Sequence, residues 1–261
     1  MQLGLAGKLA LVTGSYRGTG AGIAEELAAE GATVLVHGFE AGQPESVADR
    51  LRSRGYDARP LVGDLFDDAG AESLATAALS IAGRVDILVN NYGVAERGRW
   101  FDDSTDDWIA LYQKNVLSGV RLVRAFVPSM RERGWGRVIW LGTVGVLRPN
   151  ARMPHYYASK AVLPTLCVSL AKELSGTGIT VNLVNPGLIA TAEVKQQMAR
   201  RGEDAKTADG WAAALLDNPI GRMAEIEEVA SLVTYLASER SGAINGTSVR
   251  IDGGASDCAV G

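Results

Sequence analysis

The residues with the clearest chemistry are Tyr156 and Lys160, four positions apart. On an α-helix that spacing puts both on one face, so a phenol and an ammonium would open to the same cavity. A free tyrosine has a pKa near ~10, and a cation within ~4–6 Å stabilises its phenolate. Tyr156 with Lys160 beside it therefore reads as an acid/base that takes a hydroxyl proton or returns one to a forming alkoxide. Tyr157, three residues before the lysine, is assigned to packing. A second constellation lies in Thr13-Gly14-Ser15-Tyr16-Arg17-Gly18-Thr19-Gly20. Its glycines miss the G-x-G-x-x-G spacing, yet they stand where a strand gives way to a helix. There a chain must turn tightly and can bring backbone N–H groups against a pyrophosphate.

Positioning these groups requires alternating elements. Short runs rich in Val, Leu and Ile occupy Leu9 to Val12, Thr33 to Val36, Ala58 to Val62, Asp86 to Asn90, Arg137 to Leu141, Thr180 to Val184 and Ser248 to Ile251. They read as buried parallel strands. Helix-like stretches lie near 21–30, 44–54, 69–82, 106–133, 156–175 and 227–238, several closed by a glycine (Gly31, Gly55, Gly83, Gly134, Gly176) of the kind that ends a helix left-handed. Strict alternation implies right-handed crossovers and an α/β class, a single-domain doubly wound Rossmann fold with a seven-stranded parallel sheet flanked by helices. One domain is expected over 1–261, with a dinucleotide-binding half at about 6–142 and a catalytic and substrate half at about 143–254. The strandless stretch 188–226 is a candidate lid. Pro164, one turn after Lys160, should bend its helix.

Composition narrows the function classes. Of 261 residues, 47% are hydrophobic and 21% charged, which is ordinary globular usage. The 26 basic and 30 acidic residues leave a charge of -4 without long one-sign runs, so nucleic acid is not an expected partner. No apolar run reaches the ~18 residues of a membrane span. Cys167 and Cys258, far apart, suggest neither a disulfide framework nor a metal cluster, and a soluble cytoplasmic protein is expected.

The ordered motifs together resemble the classical short-chain dehydrogenase/reductase family over about residues 6 to 254. Gly14, Gly18 and Gly20 match its TGxxxGxG turn, Asp64-Leu65 its adenine-contacting acid, and Asn90-Asn91-Tyr92-Gly93 its NNAG element. Tyr156-x-x-x-Lys160, Asn185-Pro186-Gly187 and Ile251-Asp252-Gly253-Gly254 continue the match. The resemblance implies a nicotinamide-dependent oxidoreductase with Asn115, Thr143, Tyr156 and Lys160 as catalytic residues. Thr143 falls where the family places a serine that holds the substrate oxygen, and Asn115 where an asparagine links the lysine through a water to solvent. Cofactor contacts are implied for Gly14, Ser15, Arg17, Gly18, Thr19, Gly20, Gly38, Asp64, Leu65, Asn91, Gly93, Tyr156, Lys160, Pro186, Gly187, Ile189 and Thr191. The sequence departs from the family at Tyr92, where a small residue is usual, at Trp140, and at Gly142 with Thr143.

The cofactor expected is NADP(H), with NAD(H) as the alternative. NAD users carry an acid at the end of the second strand to grip the ribose 2′-OH, and here that position is Gly38. Arg17 stands where NADP users often hold a base for the 2′-phosphate, and a guanidinium suits bidentate pairing. His37 would add a hydrogen bond to that phosphate. The reaction expected is hydride exchange with a secondary alcohol or ketone. The alternatives are a same-fold 3-oxoacyl thioester reductase or epimerase, and a catalytically weak nucleotide-binding regulatory module. Arg148, Arg152 and His155 would suit an anionic or hydroxyl-rich substrate, whereas Trp100, Met153, Met198 and Trp211 would suit an apolar one. The resemblance further implies a homotetramer or homodimer built on the 106–133 and 156–175 helices.

Overall fold

Runs of branched residues buried on both faces can only be central parallel strands, and the glycines that follow the helices supply the left-handed corners between elements. The computed structural model describes residues 2–200 and 218–257. Its elements alternate from β1 (Leu9–Val12), α1 (Gly18–Ala29), β2 (Thr33–Gly38), α2 (Gln43–Ser53), β3 (Ala58–Val62), α3 (Asp68–Ala82) and β4 (Ile87–Asn90). There follow α4 (Thr105–Tyr112), α5 (Ser118–Arg133), β5 (Gly136–Leu141), α6 (Pro154–Ala161), α7 (Leu163–Glu173), β6 (Ile179–Pro186), α8 (Ala192–Arg200), α9 (Ile226–Ala237) and β7 (Ser248–Ile251). The sheet runs β3-β2-β1-β4-β5-β6-β7, parallel throughout. Strand order reverses between β1 and β4, and the crevice outside their carboxyl ends is where an open α/β sheet receives a ligand.

Each face of the sheet carries its own core. Val12, Val34, Val36, Ile139 and Val184 meet α1, α2 and α9 on one side, while Leu11, Leu35, Leu88, Val138 and Trp140 meet α3, α5 and α7 on the other. The five helix-closing glycines all have positive φ, as expected.

Two helices differ from the sequence expectation, both at the site. The continuous helix expected over 106–133 is interrupted by a π-helical turn at Gln113–Leu117, which carries Asn115. The helix expected over 156–175 starts at Pro154 and divides into α6 and α7 at Val162, because Pro164 in the first turn of α7 has no N–H for the preceding turn. Tyr156 and Lys160 both remain within α6. Of the expected lid 188–226, residues 201–217, including Trp211, lie outside the described residues, as does Cys258.

Candidate active site

The turn after β1 is held open by its neighbours. Gly14 (φ 63°) and Gly18 (φ 54°) take left-handed conformations that a side chain would strain. Gly20 has no room for one: a Cβ there would lie 2.5 Å from Asn91 Nδ2. That amide donates to the Thr13 carbonyl at 2.8 Å, so Asn91 staples the turn to the end of β4. Helix α1 begins at Gly18 without a side-chain cap, which leaves first-turn N–H donors at the mouth of the crevice. Thr19 lines the cavity there.

Two residues expected to touch the cofactor are fasteners instead. Ser15 is fully buried; its hydroxyl donates to the Val12 carbonyl at 2.7 Å and accepts the His37 N–H at 2.9 Å. His37 is also fully buried, so the expected hydrogen bond to a 2′-phosphate is corrected. Its Nδ1 accepts the Gly14 N–H at 2.9 Å, and its Nε2 faces the Gly63 carbonyl at 3.0 Å, which makes it a neutral strut between two turns. Desolvation lowers its pKa to about 4. Leu65 likewise sends its side chain into the core, whereas Asp64 is exposed and accepts the Leu65 and Phe66 N–H groups. Gly38 is closed to any side chain, since a Cβ would lie 2.7 Å from Pro44 Cδ. Arg17 is exposed, with Nη1 at 3.3 Å from Glu193 Oε1 of α8.

At the centre of the sheet one cavity of about 320 Å³ collects Thr19, Gly93, Thr143, Tyr156, Lys160 and Gly187, together with Asn91, Pro186, Ile189 and Thr191. Thr143 Oγ1 accepts the Gly145 N–H at 3.0 Å and is hydrogen-bonded to the Tyr156 phenol. Lys160 is buried, and its Nζ donates to the Leu141 carbonyl at 2.8 Å. Burial draws its pKa down to about 8.

Burial, rather than the ammonium expected to acidify it, governs the phenol. Desolvation pushes the Tyr156 pKa up to about 12; the Thr143 hydrogen bond offsets it in part, and Tyr157 adds to it. At neutral pH the phenol keeps its proton.

Asn115 acts through direct contacts. Its Oδ1 accepts the Val94 N–H at 2.7 Å, and its Nδ2 donates to the Val94 carbonyl at 3.1 Å and to Ser159 Oγ at 3.0 Å. Ser159 in turn donates to the Tyr156 carbonyl at 2.7 Å. The π-turn thus ties the loop beyond Gly93 to the helix of the catalytic pair. Gly93 is indispensable to this closeness: a Cβ would sit 2.8 Å from Asn115 Oδ1 and 2.9 Å from Lys160 Nζ. On the far wall Thr191 Oγ1 accepts the Val194 N–H at the start of α8, and Gly187 packs on the Asp252 backbone, where a Cβ would meet Cα at 3.0 Å.

The departures from the family pattern find separate explanations. Trp140 is buried on the α5 side of the sheet against Gly119, away from the cavity. Gly142 leaves space for Asn185, whose Oδ1 would lie 2.0 Å from a Cβ. Ser159 carries no sequence signal as a site residue, whereas His155 is expected from the sequence to meet an anionic or hydroxyl-rich substrate. His155 is buried, accepts the Tyr156 N–H on Nδ1 at 3.0 Å and has Nε2 at 3.7 Å from Asp103, so it is no substrate contact. Arg148 pairs with Asp257, Met198 packs with Ala190 and Met223, and Tyr157 accepts from Asn150 Nδ2. Arg152 and Trp100 are exposed, and Met153 immediately precedes α6.

A family model described as Enoyl-(Acyl carrier protein) reductase matches residues 14–256. The uncharacterized oxidoreductase YvaG of Bacillus subtilis is 37% identical, over 97% of this chain and 98% of its own. The 3-oxoacyl-[acyl-carrier-protein] reductase FabG of Escherichia coli is 35% identical, over 95% of this chain and 97% of its own. L-sorbose reductase from Gluconobacter frateurii, solved with NADPH and L-sorbose, superposes with a TM-score of 0.90 at 30% identity, covering 99% of this chain and 100% of that one.

Proposed function

Because the chain belongs to the short-chain dehydrogenase/reductase family, we propose that this oxidoreductase reduces a ketone to a secondary alcohol, using NADP(H) in preference to NAD(H). The observation that carries the reading is the meeting of Tyr156, Thr143 and Lys160 in one cavity with Gly93 and Gly187. The dinucleotide fits what is present. The free N–H donors that open α1 suit a pyrophosphate, and the side-chain-free face of Gly18 leaves room for a close ligand. Gly38 admits no carboxylate to repel a 2′-phosphate, and Arg17, exposed in the turn that follows β1, is a guanidinium that would pair with one.

When bound, NADP(H) supplies or accepts the hydride. Tyr156, neutral at physiological pH, delivers its proton to the oxygen of the substrate carbonyl, and Thr143 Oγ1 orients that oxygen. Lys160, buried against the Leu141 carbonyl, keeps a positive field near the phenol as negative charge develops. Asn115 and Ser159 hold α6 and the Val94 loop in register around that proton. Reduction of an acyl-carrier-bound 3-oxo thioester is the same chemistry on another substrate, and the FabG relative makes it the second reading.

The same reading takes residues 6–142 as the dinucleotide half and 143–254 as the catalytic half. It also takes the protein as a cytoplasmic homotetramer or homodimer. An apolar groove between α5 and α7, lined by Val120, Val123, Val127, Leu166 and Leu170, supports the assembly. No helix among the described residues is long and apolar enough to cross a membrane.

The test is NADPH oxidation, followed by absorbance across a panel of ketones, with Tyr156→Phe beside wild type. Loss of the proton donor should cost roughly 10²–10⁴ in rate while NADPH binding persists. Turnover that survives the substitution intact would end the assignment.

A further inference from the structure

The backbone of Tyr156 is held on both sides. Ser159 Oγ, itself fastened by Asn115, donates to the Tyr156 carbonyl, and His155 Nδ1 accepts the Tyr156 N–H at 3.0 Å. The second contact replaces a missing cap. Helix α6 opens on Pro154 with no side-chain cap from Met153, and the Met153 carbonyl is taken by the Tyr157 N–H, so the N–H of Tyr156 is a first-turn donor with no partner from its own helix.

His155 is buried, and accepting on Nδ1 fixes its neutral tautomer, with the ring proton on Nε2. Nε2 faces Asp103 Oδ2 at 3.7 Å, and that oxygen is buried without a hydrogen bond among the described residues. The gap is too long for a hydrogen bond, so the carboxylate acts on the ring through its field. With the proton on Nδ1 instead, two donors would oppose each other at Tyr156 and a lone pair would face the carboxylate.

The fold sets Asp103 in place. Its N–H donates to the Arg99 carbonyl at 3.2 Å in the turn before α4, and Gly98 of the same loop donates to the Arg152 carbonyl at 2.9 Å, just ahead of α6. A side chain at Gly98 would overlap Asp103 Oδ2 and stand 2.8 Å from His155 Cε1. Trp108 of α4 also packs on the histidine, with ring centroids 5.9 Å apart. Asp107, a second carboxylate within reach of the ring, is taken up by Ser104, whose N–H and Oγ it accepts at 2.8 and 2.6 Å. Neither Asp103 nor His155 lines the cavity of the catalytic pair, so both act on it through Tyr156.

We propose that Asp103 and His155 are positioning residues: the Asp103 carboxylate keeps the His155 proton on Nε2, which leaves Nδ1 to hold the Tyr156 N–H and so aims the phenol at the substrate oxygen. The inference rests on the ketone-reductase reading above and extends it to a pair of side chains outside the reacting group.

The experiment follows NADPH oxidation by the full-length protein with the ketone of that panel which wild type reduces fastest, and NADPH affinity by the fluorescence of the reduced ring. His155→Leu removes the acceptor, and Asp103→Asn removes the charge at constant shape. Misplacing a reacting group by about 1 Å costs up to about 100-fold, so each variant should lower kcat about 10-fold to 100-fold while KM and the NADPH Kd stay within about twofold. His155→Asn sets Oδ1 where Nδ1 stood, an acceptor that needs no tautomer, and should bring kcat to within about threefold of wild type. In that background Asp103→Asn should cost less than about twofold more. If His155→Leu melts early, Asp103→Asn, which keeps size and shape, carries the same expectation. An unchanged kcat for Asp103→Asn would overturn the proposal, as would a loss confined to KM, or an equal cost of Asp103→Asn with and without His155→Asn. A wild-type protein that reduces no ketone would instead overturn the reductase reading, and this inference with it.

Discussion

His37 should make the stability of this protein fall in mildly acidic solution. Its ring is fully buried, with Nδ1 accepting the Gly14 N–H, so a second proton would set two donors against each other. Its pKa drops from the 6.5 of an ordinary histidine to about 4, through desolvation first, with the Gly63 carbonyl and Asp64 opposing. The folded value lies below the unfolded one, so the unfolded chain takes the proton more readily. Stability is therefore complete above about pH 6.5, is lost as pH falls towards about 4, and changes no further from this group below that. At ~1.4 kcal/mol per pH unit the whole interval is worth about 3 kcal/mol, and about 2 kcal/mol of it should be lost between pH 7.5 and 5. Carboxylates held low by arginines, such as Glu228 beside Arg222 at about 2, lose their contribution at lower pH, outside this window. The assay is urea unfolding at both pH values for wild type and His37→Gln, whose amide can still accept from Gly14 and which does not titrate. Comparing the two cancels the other histidine, His155. Wild type should lose about 2 kcal/mol more than the variant over the interval. Equal losses would show that His37 is charged in the folded protein and that the strut is misassigned.

Three further outcomes follow from close contacts. Gly93→Ala would press a methyl on Lys160 Nζ and Asn115 Oδ1 and weaken charge-assisted bonds worth about 1.5–3 kcal/mol, so kcat/KM should fall roughly 10-fold to 150-fold; a value within about twofold of wild type would refute the argument. Gly142→Ala should displace the Asn185 amide, which donates to Ser248 Oγ at 2.6 Å, and cost about 1–3 kcal/mol in thermal or urea unfolding; an unshifted transition would contradict it. Arg17→Gln should weaken NADPH about 10-fold in direct binding and leave NADH nearly unaffected, and a constant NADPH-to-NADH affinity ratio would remove Arg17 from phosphate recognition.

Much of the architecture was legible because its signals are local. Branched runs mark the strands, and the five glycines after the helices mark left-handed corners that other side chains resist. The Pro164 break could be read from a missing N–H alone. The π-turn at Gln113–Leu117 could not, since nothing in its composition differs from a helix. Asn115 reaches the backbone of Val94, 21 residues away, and only that long-range contact explains why the site needs the turn.

The candidate site divides in the same way. Residue type and i, i+4 spacing alone put Tyr156 and Lys160 on one helix face and the glycine turn between a strand and a helix, since both relations are properties of a few consecutive residues. Tertiary packing decided what those groups experience. It turned His37 and Ser15 inward, closed Gly38 behind Pro44, gave the Lys160 ammonium to the Leu141 carbonyl, and left desolvation to govern the Tyr156 phenol. Desolvation and hydrogen-bond partners come from segments remote in the chain, so proton affinity belongs to the folded protein even where the chemical groups can be named from the sequence.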